Sequence, residues 1–270
     1  MLWALTHRVM SLSPPGVRRF FWHWWYDTLS KHELGFSFMN YGYACTEADG
    51  PPPMLDLQDE PNRYAIQLYR HLIQGINIMG CDILEVASGR GGGAAYVVRN
   101  FKPRSFMGID ASRQAVAFCN RTHCLPGLEF RQGYAERLPV GDAHFDVVIC
   151  VEASRCFGSL DDFLRETRRA LRPGGHLLYC DLRPQRQVAN LRGALNRSGL
   201  ELMREQEITP QVLAALAAMS DERKAWVASA FPGLLVGLFA SWAGVKGHDA
   251  YEALRRGETR YLSFTLQKPV

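Results

Sequence analysis

Between residues 82 and 182 short apolar runs alternate with segments of helical length. DILEVA (82–87), SFMGID (105–110), LEFRQG (128–133), FDVVICVEA (145–153) and HLLYCDL (176–182) are predicted strands. Helices are predicted between them at about 92–101, 112–123 and 160–171, with Ser159 as N-cap of the last and Asp162 at its capping-box position. The ArgProGlyGly tract at 172–175 predicts a sharp stop after that helix. Strands separated by helices imply right-handed βαβ crossovers, a parallel sheet and an α/β fold. Beyond residue 183 the pattern predicts a helix at 185–198, a strand LELMREQEI (200–208), about 45 helical residues and a last strand TRYLSFTLQK (259–268). The last two strands can pair as an antiparallel hairpin at the sheet edge. Ahead of the α/β pattern, FFWHWWYDTL (20–29) reads as a helix, 39–61 as a long Gly- and Pro-broken connection, and 62–74 as another helix. The expected division is a helical N-terminal cap or lid (1–78) and an α/β domain (79–270) carrying a helical insertion at 209–250 before its last strand.

Composition narrows the picture. The 270 residues are 47% hydrophobic and 21% charged, which excludes a disordered, collagen-like or coiled-coil chain. A net charge of +4 leaves no electrostatic footprint for nucleic acid, and no Asn/Asp-Pro-Pro-aromatic motif is present to engage a flipped base. Seven scattered cysteines without CxxC or metal-ligand spacing are expected to be reduced thiols of a cytoplasmic protein. No metal is expected, because no His, Asp or Glu cluster has ligand spacing. The longest apolar stretch, 231–245, contains Pro232 and three glycines, so stable membrane insertion is not expected. The first residues lack the basic start and long apolar core of a signal peptide. None of these properties sets an oligomeric state.

The first predicted strand runs into IleLeuGluValAlaSerGlyArgGlyGlyGly (83–93). Gly89, Gly91, Gly92 and Gly93 bare the backbone where strand becomes helix, and a helix N-terminus offers N–H groups to a ligand. Glu85 lies four residues ahead of Gly89, where a carboxylate can face the positive end of a bound molecule. Asp110, at the tip of the next strand, is placed to bind ribose hydroxyls. Gly89-x-Gly91-x-x-Ala94 also satisfies the dinucleotide fingerprint, so a nicotinamide-dependent oxidoreductase stays open on the loop alone.

The glycine loop, GlyIleAsp (108–110), GlyTyrAlaGluArgLeuProVal (133–140), PheAspValValIleCysValGlu (145–152) and LeuArgProGlyGly (171–175) follow in that order. The set resembles class I S-adenosylmethionine-dependent methyltransferases. It implies a doubly wound, Rossmann-like, seven-stranded sheet and S-adenosylmethionine as cofactor. It further implies that Glu85, Ala87, Ser88, Gly89 and Gly91 hold the methionine portion, Asp110 the ribose, and that Tyr134, Ala135 and Glu136 lie near the adenine. Ala111 and Val151 complete the expected cofactor set. Together with ArgArgPhePheTrpHisTrpTrpTyr (18–26), the tract 39–63 and ValGluAlaSer (151–154), the chain is similar to small-molecule methyltransferases of mycobacterial phthiocerol-type lipid and polyketide pathways. That likeness implies O-methylation of a hydroxyl on a small, largely apolar natural-product or lipid acceptor. Carbon or nitrogen methylation, or a cyclase or binding protein that only retains the cofactor, are the alternatives. Three positions depart from the family pattern: Ala87 replaces the first glycine, Tyr134 an acid, and Arg155 a histidine.

Ligands of open α/β sheets bind beyond the carboxyl ends of the strands. Glu152, Arg155 and Asp181 lie at that end, whereas His144 and His176 precede strands and are read as structural. Glu152 and His23 are the candidate bases for a hydroxyl proton. A cap or a salt bridge with Arg155 is the alternative for Glu152, and proximity alone is the alternative to any base. Arg155 completes the catalytic set. Trp25, Tyr41 and Tyr43 are the expected acceptor contacts, because a small cap cannot bury every aromatic ring of the segment 20–43.

Overall fold

The computed structural model describes residues 13, 14, 16, 17, 20–22 and 36–270. Seven strands form one sheet in the order β3-β2-β1-β4-β5-β7-β6. Their ranges are β1 Asp82–Val86, β2 Ser105–Asp110, β3 Leu128–Gln132, β4 Phe145–Val151, β5 Leu171–Pro184, β6 Glu201–Glu207 and β7 Thr259–Gln267. β1 to β5 are parallel, and β7 enters antiparallel between β5 and β6. β1 is central and buried at all five positions, so after Asp82 its sequence is an apolar run broken only by Glu85. β6 is an edge strand carrying Glu201, Arg204, Glu205 and Glu207, charges that discourage pairing with another chain.

Helices cover both faces: α1 Arg63–Ile73 ahead of β1, then α2 Gly92–Phe101, α3 Arg113–Thr122, α4 Leu160–Ala170 and α5 Val188–Arg197 between strands. α4 shows how the sequence sets one of them. Ser159 accepts the Asp162 N–H at 3.1 Å as N-cap, acids fill the first turn and arginines the last. Its buried stripe is Phe163, Leu164, Thr167 and Ala170, and burial of Phe163 alone contributes about 1.5–3 kcal/mol. One core cluster includes Phe163, Leu164, Leu191 and Leu195; the other includes Leu68, Leu72, Tyr96 and Val97.

The expected break at 172–175 takes a different form. β5 begins directly after α4, and the tract forms an irregularity where the β4–β5 register shifts between Phe145 and Val147. A methyl on Gly175 would meet the carbonyls of Arg172 and Asp146 at 2.9 Å, which is why the bulge takes glycine. The long helical stretch resolves into α6 Thr209–Ala218, α7 Ser220–Ala230, α8 Gly233–Trp242 and α9 Asp249–Arg255. Val227, Phe239, Trp242 and Val245 give these helices a small core of their own, joined by Trp22. No described helix is long and apolar enough to cross a membrane.

The strand order reverses between β1 and β4, which opens a crevice beyond their carboxyl ends. At the opposite end Asp82 binds Arg104 and Arg172, tying together the starts of β1, β2 and β5. His176 lies at that end too, half-buried, with burial holding its pKa below the usual value.

Candidate active site

The crevice contains a cavity of about 380 Å³, within the range of small-molecule sites. Its floor is the β1–α2 turn and the tips of β2 and β4. Ala87, Ser88, Gly89, Asp110, Ala111 and Val151 line it, and Tyr134, Ala135 and Glu136 close one side. The sequence therefore brings most of the expected cofactor residues to one wall. Ser88 Oγ is buried with no hydrogen-bond partner among the described residues. A methyl built on Gly89, whose φ is +54°, would meet only Met39 Sδ at 3.4 Å, so the loop leaves room above itself. Asp110 Oδ2 accepts the Gly89 N–H at 2.8 Å and Oδ1 the Ser112 N–H at 2.9 Å, so this acid also holds the loop in place. Ala87, in the slot usually given to glycine, adopts φ +61°.

Three expectations for this wall need correction. Gly91 does not line the cavity. A side chain there would strike Phe130, His123 and Cys119 within 3.0 Å, so this glycine permits packing of α2 against β3 and α3. Glu85 lies beneath the loop, fully buried, and does not line the cavity either. Its Oε1 accepts the Tyr69 hydroxyl at 2.6 Å, and Oε2 has no partner among the described residues. Burial, aided by Asp110, pushes its pKa up to about 8 against the Tyr69 hydrogen bond. The N-terminus of α2, finally, is not left open: Ser37 O accepts the Gly92 N–H at 3.1 Å, and Phe36 O accepts Arg90 Nε at 2.8 Å. The segment 36–41 is thus a strap over the loop, and Gly92 has no room for a side chain beneath Ser37.

The opposite wall comes from the strap and from α7 and α8. Phe36, Met39, Tyr41, Trp226 and Trp242 supply apolar surface, with Trp22 beside them. Glu152 stands where this wall meets β4. It is 7% exposed, lines the cavity and takes φ +55°, a left-handed conformation rare for glutamate. Oε1 accepts two hydrogen bonds, from the Tyr41 N–H and the Tyr261 hydroxyl, each at 2.6 Å. Among the described residues Oε2 has no partner, so it is the oxygen left for a ligand. Burial raises the Glu152 pKa, while Arg155, Tyr261 and Tyr41 oppose the shift.

Arg155 lines the cavity from the turn Ser154–Cys156. Asp181 does not reach the cavity. It is completely buried and braces that turn, accepting the Arg155 N–H at 3.1 Å, the Ser154 hydroxyl at 2.8 Å and Arg183 Nη1 at 3.0 Å. Tyr41 lines the cavity, but its hydroxyl already donates to Trp242 O at 3.0 Å, and burial pushes its pKa up to about 12. Tyr43 is an acceptor contact neither by place nor by partner. Its ring stacks on His71 at 4.5 Å, its hydroxyl donates to Asp49, and it is 2% exposed, away from the cavity. His23 and Trp25 lie outside the described residues.

Among the cavity residues that escaped the sequence reading are Asn40 and Arg223. Asn40 lies in the strap, its side chain tied to Ala65 O and the Gly42 N–H. Arg223 of α7 donates to Ala243 O at 2.6 Å and Asn40 O at 3.0 Å, and burial lowers its pKa. In the sequence Arg223 belongs to SerAspGluArgLys, a tract that reads as a solvated helix face. Its only signal is the Trp226 that follows one turn later.

Residues 84–179 match the family described as Methyltransferase domain. The phthiotriol/phenolphthiotriol dimycocerosates methyltransferase of Mycobacterium leprae is 38% identical over 252 residues, covering 92% of both chains. The fatty-acid O-methyltransferase of Mycolicibacterium smegmatis is 38% identical over 235 residues, 86% of this chain and 83% of that one. Among solved structures, the cyclase SpnF superposes with a TM-score of 0.69 at 20% identity, over 91% of this chain and 94% of the other, a likeness of fold. The chain belongs to the class I S-adenosylmethionine-dependent methyltransferases and, within them, to the family that holds these two mycobacterial enzymes. Its cofactor is S-adenosylmethionine, which removes the nicotinamide reading that the glycine spacing had left open.

Proposed function

We propose that this enzyme methylates a hydroxyl oxygen on a long, largely apolar lipid or polyketide acceptor, with Glu152 as general base. The observation that carries the reading is the Glu152 carboxylate, which lines an aromatic-walled cavity with one oxygen fixed by two donors and the other without a partner among the described residues. In this reading Ala87, Ser88 and Gly89 lie along the methionyl part of the cofactor and Asp110 accepts from the ribose hydroxyls. Tyr134, Ala135 and Glu136 would lie near the adenine, and Ala111 and Val151 would complete the cofactor wall. Glu85 supports the loop from below through its hydrogen bond with Tyr69.

Bound S-adenosylmethionine supplies an electrophilic methyl group whose bond to sulfur breaks with its electron pair retained by sulfur. Glu152 Oε2 takes the hydroxyl proton as the acceptor oxygen bonds to that methyl, and later releases it to solvent. A carboxylate whose pKa is raised by burial is a better base near neutrality than an exposed one. The aromatic wall suits an alkyl chain and also a sulfonium, through cation–π attraction.

One observation favours a second reading, transfer to a carboxylate. Arg155 and Arg223 both line the cavity and both act on Tyr41 and Glu152 electrostatically, and one relative is named a fatty-acid O-methyltransferase. Incubation with S-adenosylmethionine and a panel of a long-chain 1,3-diol, a long-chain alkylphenol and the fatty acid of equal length separates the two. Methyl ethers in the mass spectrum support the first reading. Methyl esters alone, with turnover indifferent to Glu152→Gln, replace it with the second.

A further inference from the structure

Tyr261 is completely buried on β7, yet it carries a hydroxyl where phenylalanine would fill the same space. A buried hydroxyl needs a partner, and this one has two: Glu152 Oε1 at 2.6 Å and Cys180 Sγ at 3.5 Å. The ring cannot easily drift from that position. Its N–H donates to Thr209 Oγ1 at 2.9 Å, and its carbonyl accepts the Ile208 N–H at 2.9 Å, so both main-chain groups are pinned at the start of α6. The second donor to the same oxygen, the Tyr41 N–H, comes from the strap. Two rigid donors on Oε1 fix the carboxylate plane and leave Oε2 as the proton acceptor. Glu152 needs that support, because its left-handed backbone alone sets no side-chain rotamer.

We propose that Tyr261 is a positioning residue of the transfer reaction, orienting Glu152 through its hydroxyl so that Oε2 meets the acceptor. The proposal rests on the reading of Glu152 as general base. Besides Tyr261, the groups that act on Glu152 are Arg155, Tyr41 and Asp181, together with Cys180, Tyr69 and Arg223. Tyr261→Phe leaves all of these in place and removes one donor to the charged carboxylate. The Tyr261 hydrogen bond lowers the Glu152 pKa, so its loss raises it.

The experiment follows the carboxyl infrared band of the full-length enzyme against pH, assigned to Glu152 by its absence in Glu152→Gln. In Tyr261→Phe the midpoint of that band moves to higher pH. A 3-fluorotyrosine at position 261, a stronger donor that keeps the ring, moves it the other way and serves even if the phenylalanine variant does not fold. Turnover of the long-chain 1,3-diol falls roughly ten- to a hundredfold in Tyr261→Phe, the size expected for one hydrogen bond to a charged group. The Kd for S-adenosylmethionine stays within about twofold, and the acid limb of the rate profile follows the band. If Glu152→Gln turns over normally, the general-base reading fails and this proposal with it. If Glu152→Gln is inactive while Tyr261→Phe keeps the wild-type rate, midpoint and acid limb, the proposal alone is overturned.

Discussion

Two glutamates on neighbouring strands meet the same kind of partner and end in different states. Glu85 on β1 and Glu152 just after β4 each accept a buried tyrosine hydroxyl at 2.6 Å, from Tyr69 and Tyr261. Glu85 sits in regular strand, sealed beneath the glycine loop with Oε2 unpartnered among the described residues. Glu152 sits one residue past its strand, in a left-handed conformation that turns it to the cavity. A tyrosine alone therefore does not decide what a buried carboxylate does. Solvent access and the second donor on the same oxygen do. The first pair lies beneath the wall proposed for the cofactor, and Glu152 of the second lines the cavity beside the wall proposed for the acceptor.

The comparison breaks most visibly at Glu85. Its pKa in the folded chain, about 8, lies above the ordinary 4.5 that it regains on unfolding. Stability contributed by the neutral form is complete below pH 4.5 and is lost as pH rises towards 8, at about 1.4 kcal/mol per pH unit within that window. Glu85→Gln without ligand is accordingly expected to match the wild type near pH 4 and to unfold at a higher temperature near pH 8. Thermal unfolding across that range checks it, and parallel curves for the two proteins would mean that Glu85 is not held neutral.

Tyr41 and Tyr43 sharpen the contrast between lining and core. They stand two residues apart, and only Tyr41 lines the cavity. Tyr43→Ala removes a buried ring stacked on His71 and is expected to cost about 3–5 kcal/mol in denaturant unfolding. Turnover per folded molecule should stay near wild type. A stable but inactive Tyr43→Ala would return this residue to the acceptor site.

Asp110→Ala tests the cofactor wall itself. Loss of a charged acceptor is expected to weaken S-adenosylmethionine binding by about 1.5–3 kcal/mol in calorimetry. Because the same carboxylate holds the Gly89 and Ser112 N–H groups, Asp110→Asn, which keeps one acceptor oxygen, should recover part of the loss. Unchanged affinity in a folded Asp110→Ala protein would remove this residue from the site.

The loop side of the cavity was legible because it is local. Strand, glycine turn and strand-tip acid lie within the residues 82–110, and the period of apolar positions located every strand of the sheet to within a few residues, apart from the early start of β5. What the pattern could not supply is depth. Glu85 and Gly91 belong to the expected motif, but whether each faces the cavity depends on Tyr69, Phe130 and His123 from distant segments. On the other side of the cavity the sequence pointed to Tyr41, Glu152 and Arg155 but not to Asn40, Arg223 or Trp242, for the same reason. Tyr41, Glu152, Arg223, Trp242 and Tyr261 come from five stretches of chain, and nothing in the stretch around Tyr261, a regular amphipathic strand, marks its hydroxyl. Arg223 reads as surface charge until Asn40 and Ala243 are brought to it.

The smallest expected effect returns to the two left-handed residues that flank the comparison. Ala87 at φ +61° and Glu152 at φ +55° both occupy a region that disfavours a side chain. At Ala87 the side chain is a single methyl group with no reactive atom, and the strain amounts to about 1–2 kcal/mol. Glycine removes it but gains freedom in the unfolded chain worth about 0.4–1 kcal/mol. Ala87→Gly is therefore expected to stabilise the protein by about 0.5 kcal/mol, with turnover unchanged. At Glu152 the same relief cannot be obtained without losing the carboxylate, so Glu152→Gly should gain a comparable backbone term while abolishing transfer. Denaturant midpoints of both variants, measured beside Glu152→Gln, separate backbone strain from side-chain chemistry. If Ala87→Gly is destabilising, the left-handed turn is held by packing of the alanine methyl, and strain at Glu152 must be argued from its carboxylate alone.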